Sequence, residues 1–416
     1  MSAKILMLGW EFPPFNTGGL GVACQGILEG LEHYSNLEIT FVLPKNLALK
    51  TGRNYSFSYP DKNLKFCYFD SILSPYLNQA SYQKMLQSII AEEKNPNYAL
   101  TLEQEVYRYS RFAENIAKIG DFDLIHAHDW LTIPLGLELK SLLHKPLIIQ
   151  YHATEVDRSN SRENFIFGIE KQGLEVADKI IAVSNHTKQI LIKEYNADPH
   201  KIQVVHNGIS PCDLDFDQKA YDFAQSLQNL KDSGLQLVVF AGRLTYQKGV
   251  KYLLEAAKHV IKHNENALFI IAGTGDLETH LLYESGRHGI SHKVLFTGNL
   301  AKKELQSLYQ AADLFVMPSI SEPFGLVALE AGSQNTPLII SKTSGASEVL
   351  NHALKVDFWD SHLMANYILA ILEHSALGNT MNEHTTSEIS QLTWQECGKK
   401  LNSIYMMAIN SCPTTA

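Results

Sequence analysis

The sequence predicts an α/β protein made of two doubly wound, parallel-sheet domains, and three observations carry that prediction. At 416 residues the chain exceeds what one hydrophobic core usually holds. Short apolar runs alternate with longer amphipathic stretches, the rhythm of βα units around a sheet buried on both faces. A polar interval at roughly residues 210–234, DLDFDQKAYDFAQSLQNLKDSG, lacks any strand run and marks the junction.

The strands follow in order. KILMLG, EITFVLP, DLIHAH, PLIIQYH, KIIAVS and IQVVHNG are the runs of the first half, and LQLVVFAGR, ALFIIAG, KVLFTG, LFVMPS and PLIIS those of the second. The stretch between Leu47 and Asn97 reads as irregular and polar-aromatic. From Ser387 onward, apolar residues at helical spacing (Ile389, Leu392, Leu401, Ile404, Tyr405) predict a closing amphipathic helix. The opening MSAKILMLGW reads as a buried strand, since its apolar run is too short for a signal-peptide core.

Composition narrows the function. With 45% hydrophobic and 19% charged residues the chain is neither disordered nor a coiled coil, and a net charge of -9 argues against a nucleic-acid partner. The five cysteines, Cys24, Cys67, Cys212, Cys397 and Cys412, are scattered and form no CxxC pair, so no disulfide framework or structural zinc is expected and a cytoplasmic location is favoured. No run of about 18 apolar residues occurs that could span a bilayer.

In parallel sheets ligands bind beyond the carboxyl ends of the strands, so the residues after each run matter most. WEFPPFNTGGLG follows the first strand, with Gly18, Gly19 and Gly21 ahead of a helix expected to begin near Val22. Such a loop can seat a phosphate or a sugar, or be a plain tight turn. It is not GxGxxG, because Cys24 stands where the third glycine belongs. HAHDW places His126 and His128 on one strand face with Asp129 and Trp130 at its exit, and His152 ends the next strand. Two histidines without a third ligand make a poor metal site, so the alternatives are a packed strand end or a polar crevice. In GRLTYQKG, Arg243 and Lys248 can clamp a diphosphate, or form a solvated basic loop. AGTGD is a glycine turn common in such folds.

SEPFGLVALEA puts Glu322 before Pro323, hence in extended backbone, and predicts a helix from Phe324 to Glu330. Amides of Phe324, Gly325 and Leu326 would then face an anion. The spacing suits a nucleotide-sugar, with Glu322 toward the sugar and Glu330 toward ribose hydroxyls. A hydrolase pair is disfavoured, because two helical turns separate the carboxylates by about 11 Å.

Taken together, SEPFGLVALEA, GRLTYQKG, the Asn207–Ile209 NGI, NTGGLG and HAHDW resemble the retaining glycosyltransferases of the GT-B fold, family 4 and the neighbouring glycogen and starch synthases. The resemblance implies two facing Rossmann-like domains with an interdomain cleft: an acceptor-binding one over 1–210, a donor-binding one over 211–386, and a helix over 387–410 crossing back onto the first. It implies that Arg243 and Lys248 stabilise the leaving diphosphate, that Glu322 meets the transferred sugar and Glu330 the ribose, that His152 lies at the donor sugar against its 6-hydroxyl, and that Asp129 lies near the reacting centre. Donor contacts then include Gly18, Gly19, Phe324, Gly325 and Leu326, while Asn16, His128 and Trp130 face the acceptor. No cofactor and no metal is implied. The partners are a nucleoside diphosphate sugar, ADP- or UDP-glucose first, and a saccharide acceptor such as a glucan. Asn16 stands where the synthases have lysine and Leu131 where they have histidine, so donor base and acceptor stay open. A lipid-linked or cell-envelope acceptor is the alternative within the class; three cations between Lys45 and Arg53 read first as a solvated loop and otherwise as a membrane-facing surface. A binder of NAD or sugar-nucleotides without activity is the alternative outside it, disfavoured by the absent GxGxxG and the presence of Glu322, Arg243 and Lys248.

Overall fold

Each apolar run becomes a strand whose two faces are both covered. The computed structural model describes residues 2–13, 18–44, 64–69, 71–73, 77–92, 98–210 and 217–411. The first seven strands are β1 (Ala3–Leu8), β2 (Leu37–Pro44), β3 (Leu64–Phe69), β4 (Leu124–His128), β5 (Leu147–Tyr151), β6 (Lys179–Ala182) and β7 (Ile202–Val204). They form one parallel sheet in the order β3-β2-β1-β4-β5-β6-β7. The order reverses at β1 and β4, which places the ligand-binding crevice of such a sheet at their carboxyl ends. There HAHDW and the Gly18–Gly21 loop lie.

The second set is β8 (Gln236–Ala241), β9 (Ala267–Ala272), β10 (Val294–Gly298), β11 (Leu314–Met317), β12 (Leu338–Ser341) and β13 (Leu354–Val356). These too are all parallel, in the order β10-β9-β8-β11-β12-β13, with the reversal between β8 and β11. Val238, Phe240, Phe269, Ile271, Val316 and Ile339 are fully buried in its core. Each such side chain removed from water stabilises the fold by about 1.5–3 kcal/mol.

The chain divides into two compact units, one of residues 1–156, 160–208 and 393–416, the other of residues 157–159 and 209–392. The tail expected as one helix over 387–410 is two. One helix, Ser375–Ser390, lies in the second unit, and another, Trp394–Ser411, in the first. Thr393 explains the break, because its hydroxyl accepts the Glu396 amide at 3.2 Å and starts a new helix.

Other boundaries also move. The polar stretch at the expected junction holds the helix Gln218–Asp232, capped by Asp217, whose carboxylate accepts the Ala220 amide at 2.9 Å. The region read as irregular contains β3 and the helix Gln79–Glu92. Lys45 to Arg53, Asn16, Cys212 and Cys412 lie outside the described residues. No helix among those described is long and apolar enough to cross a membrane.

Candidate active site

In the first unit the site begins where β1 ends. The helix expected from Val22 starts three residues earlier, spanning Gly19–Glu32 with Gly18 as its cap. The Glu11 carboxylate, 2% exposed, accepts the Gly21 amide at 2.6 Å, so one free amide of the helix start is answered by the chain's own acid.

The carboxyl ends of β4 and β5 then assemble three histidines. His126 and His128 point from the same strand face, their rings 4.3 Å apart, and His128 Nδ1 lies 2.9 Å from His152 Nε2. His126 Nδ1 meets the Tyr405 hydroxyl at 2.7 Å, on the helix Trp394–Ser411. Burial lowers the pKa of all three imidazoles. It takes His126 and His152 down to about 3 and His128 well below its ordinary range, so all three are neutral at pH 7. Asp129 begins the helix Asp129–Leu143 with a left-handed φ of 56°, strained for a residue with a Cβ. Its Oδ1 accepts the His152 amide at 2.7 Å and so ties the ends of β4 and β5 together. Trp130, expected on the acceptor side, is instead 2% exposed and packs edge-on against Trp10 and Phe165. It supports the site through packing.

The second unit brings together residues far apart in sequence. After β8 the chain makes a turn over Tyr246–Lys248, and Gly249 takes a φ of 65°. A Cβ there would sit 2.1 Å from the Pro318 carbonyl oxygen, so only glycine lets this turn lie against the end of β11. The Ile320 amide donates to the Gln247 carbonyl at 2.8 Å and locks that approach. As a result Lys248 Nζ reaches Glu322 Oε2 at 2.6 Å, and the Ser319 hydroxyl donates to the same oxygen at 3.0 Å. Glu322 is 6% exposed and extended, its amide bonded to the Thr343 carbonyl at 3.0 Å.

The following helix is Leu326–Ser333, two residues later than expected, because Gly325 turns left-handed at φ 104° and caps it. Glu330 lies on it, its carboxyl pKa pushed up by burial against the opposing charge of Lys302. Arg243, half-buried, leaves the end of β8 on the same turn as Lys248. AGTGD matters more than its commonness suggested. The Gly273 backbone passes so close that a Cβ would lie 1.9 Å from the Gly242 carbonyl oxygen, and Leu244 donates to Thr274 O at 2.9 Å. The two glycine loops therefore hold each other. Sequence reasoning passed over Glu11 and Ser319, which only their positions just after strands could have flagged, and read Tyr405 as an apolar position of the closing helix without its tie to His126.

This pair of parallel Rossmann-like sheets defines the GT-B class. A solved structure of sucrose-phosphate synthase from Thermosynechococcus elongatus superposes with a TM-score of 0.75 at 18% identity, covering 98% of this chain and all of that one. The family described as Glycosyltransferase Family 4 matches residues 77–212, and Glycosyl transferases group 1 matches 223–387. An uncharacterized glycosyltransferase of Methanocaldococcus jannaschii is 30% identical over 356 residues, 84% of this chain and 83% of that protein. A glycogen synthase of Mycobacterium tuberculosis is 25% identical over 97% of this chain and 95% of its own. The chain belongs to the family 4 glycosyltransferases.

Proposed function

We propose that the protein transfers a hexosyl unit, glucose first among candidates, from a nucleoside diphosphate sugar to a saccharide acceptor such as a glucan, with retention of anomeric configuration. The observation that carries this reading is the cluster of Lys248, Glu322 and Ser319 at the crevice of the second sheet. An ammonium held this close to a carboxylate is positioned before the donor arrives. Once a diphosphate is bound, Lys248 and Arg243 offset the charge that grows on the leaving group, the largest contribution available to such a reaction. Glu322 orients the sugar, and Glu330 accepts from ribose hydroxyls. Gly18, Gly19, Phe324, Gly325 and Leu326 contribute backbone contacts to the donor.

In the first unit, His152 and Asp129 serve the reacting sugar and His128 the acceptor side. A neutral imidazole suits hydroxyl recognition: with one nitrogen of each ring engaged between His128 and His152, the other can donate to a hydroxyl or accept from one. With cations from the chain at the phosphates, the transfer step needs no divalent metal. The glycogen synthase relationship supports a glucan acceptor.

A thermal-shift panel of ADP, UDP, GDP and their glucose conjugates tests the reading, since a ligand of the native state raises its melting temperature. One nucleotide is expected to stand out. Product NMR is expected to show the donor's anomeric configuration, and a chelator is expected to leave turnover unchanged. Lys248→Ala should weaken the selected nucleotide about tenfold or more, the loss of one charge-assisted contact. Unchanged nucleotide affinity in that variant would refute the clamp.

A further inference from the structure

We propose that Cys24, His128 and His152 form a zinc site in the first unit. One ligand atom from each residue lies within 4.8 Å of the other two. The residues come from three separate elements: the helix Gly19–Glu32, the end of β4, and the residue after β5. Of the two histidines of HAHDW only His128 takes part, and the ligands that complete the set are a cysteine about a hundred residues earlier and the histidine that follows the next strand.

The donor set suits the ion. A thiolate and two neutral imidazoles are ordinary zinc ligands, and three protein ligands leave a fourth position open. Tetrahedral bonds of about 2.0–2.3 Å require donors roughly 3.3–3.6 Å apart, so closure asks about 1 Å of side-chain adjustment. The surroundings also favour a cation. His128 Nε2 and His152 Nδ1 are buried and meet no hydrogen-bond partner among the described residues. With His128 Nδ1 and His152 Nε2 sharing one proton, either tautomer leaves one orphaned donor and one orphaned acceptor. Burial raises the Cys24 thiol pKa and the Glu11 and Asp129 carboxylates raise it further, and the negative field of those two carboxylates would hold a cation. Binding releases the Cys24 proton to solvent and leaves a thiolate on the metal.

Zinc so placed occupies His152, and if that residue serves the sugar as proposed above, occupancy and transfer exclude each other. Metal-free protein titrated with Co2+ under reducing conditions should bind one equivalent with a thiolate-to-cobalt charge-transfer band, displaced by Zn2+. Cys24→Ser should lose the band and weaken the ion at least tenfold. No saturable binding, or a band that survives Cys24→Ser, overturns the site. Should that variant not fold, zinc anomalous scattering from wild-type crystals decides, with a peak among the three side chains expected and a peak elsewhere fatal. In activity, zinc should inhibit the wild type and spare Cys24→Ser, whose turnover in chelator matches wild type; equal inhibition of both counts against the site. Full zinc occupancy with undiminished turnover would sink the role given to His152 and leave the metal site standing.

Discussion

Lys248 and Glu322 are 74 positions apart and touch at 2.6 Å, so neither can be altered without consequence for the other. Glu322→Gln keeps the shape and the acceptor for Ser319 but removes the charge opposite Lys248. Turnover should fall about 100-fold or more while the melting temperature moves little, measured by product formation and circular dichroism. A variant with near-normal turnover would remove Glu322 from the reaction. The histidines make a second prediction. Exposed histidine titrates near 6.5, whereas burial holds His126 and His152 at about 3 in the fold. Between those values the unfolded chain binds the protons that the folded one refuses. Stability is therefore intact above about pH 6.5 and lost as pH falls toward 3, with a slope of up to about 1.4 kcal/mol per pH unit for each histidine. A melting series from neutral pH to about pH 4.5 should show this decline, and His126→Gln should flatten it; a level series would contradict the burial. Residue types at strand ends made most of this site legible. The pairings were not, because no pattern within HAHDW says that His126 meets Tyr405.

Elements were legible wherever a strong period lasted long enough. Eleven runs are strands, and among the described residues the two missed, β3 and β13, lie at sheet edges, β13 with only three residues. The break in the tail had a visible signal, since TWQE carries the Thr-x-x-Glu spacing of a helix start, but continuous amphipathicity on both sides masked it. Glycines carried information that periodicity ignores. In the helices Gly19–Glu32 and Trp394–Ser411, Gly30 and Gly398 let two backbones touch: a Cβ on Gly398 would lie 2.3 Å from the Gly30 carbonyl oxygen. Neither backbone can yield without shifting a whole helix. Gly398→Ala should therefore destabilise the first unit by about 1–3 kcal/mol or more. Differential scanning calorimetry would register a drop of several degrees in one transition, and an unchanged profile would mean the helices separate at little cost.

The class of the whole molecule was readable because parallel strands buried on both faces leave long apolar runs that little else produces. What sequence order conceals is that the two units are unequally continuous. Apart from residues 157–159, the second is the single segment 209–392, whereas the first needs residues 393–416 from the far end of the chain. That returning helix buries Trp394, Leu401, Ile404 and Tyr405. At about 1.5–3 kcal/mol for each such side chain, its loss removes roughly 6–12 kcal/mol, comparable to the entire stability of a typical domain at 5–15 kcal/mol. Residues 209–392 expressed alone should accordingly melt cooperatively and bind the nucleoside diphosphate selected by the intact chain. Residues 1–208 alone should not melt cooperatively, and co-expression with 393–416 should restore a transition. Cooperative melting of 1–208 by itself would show that the helix decorates a core already complete; failure of 209–392 to fold would show that the second sheet depends on the rest of the chain for more than its linkage.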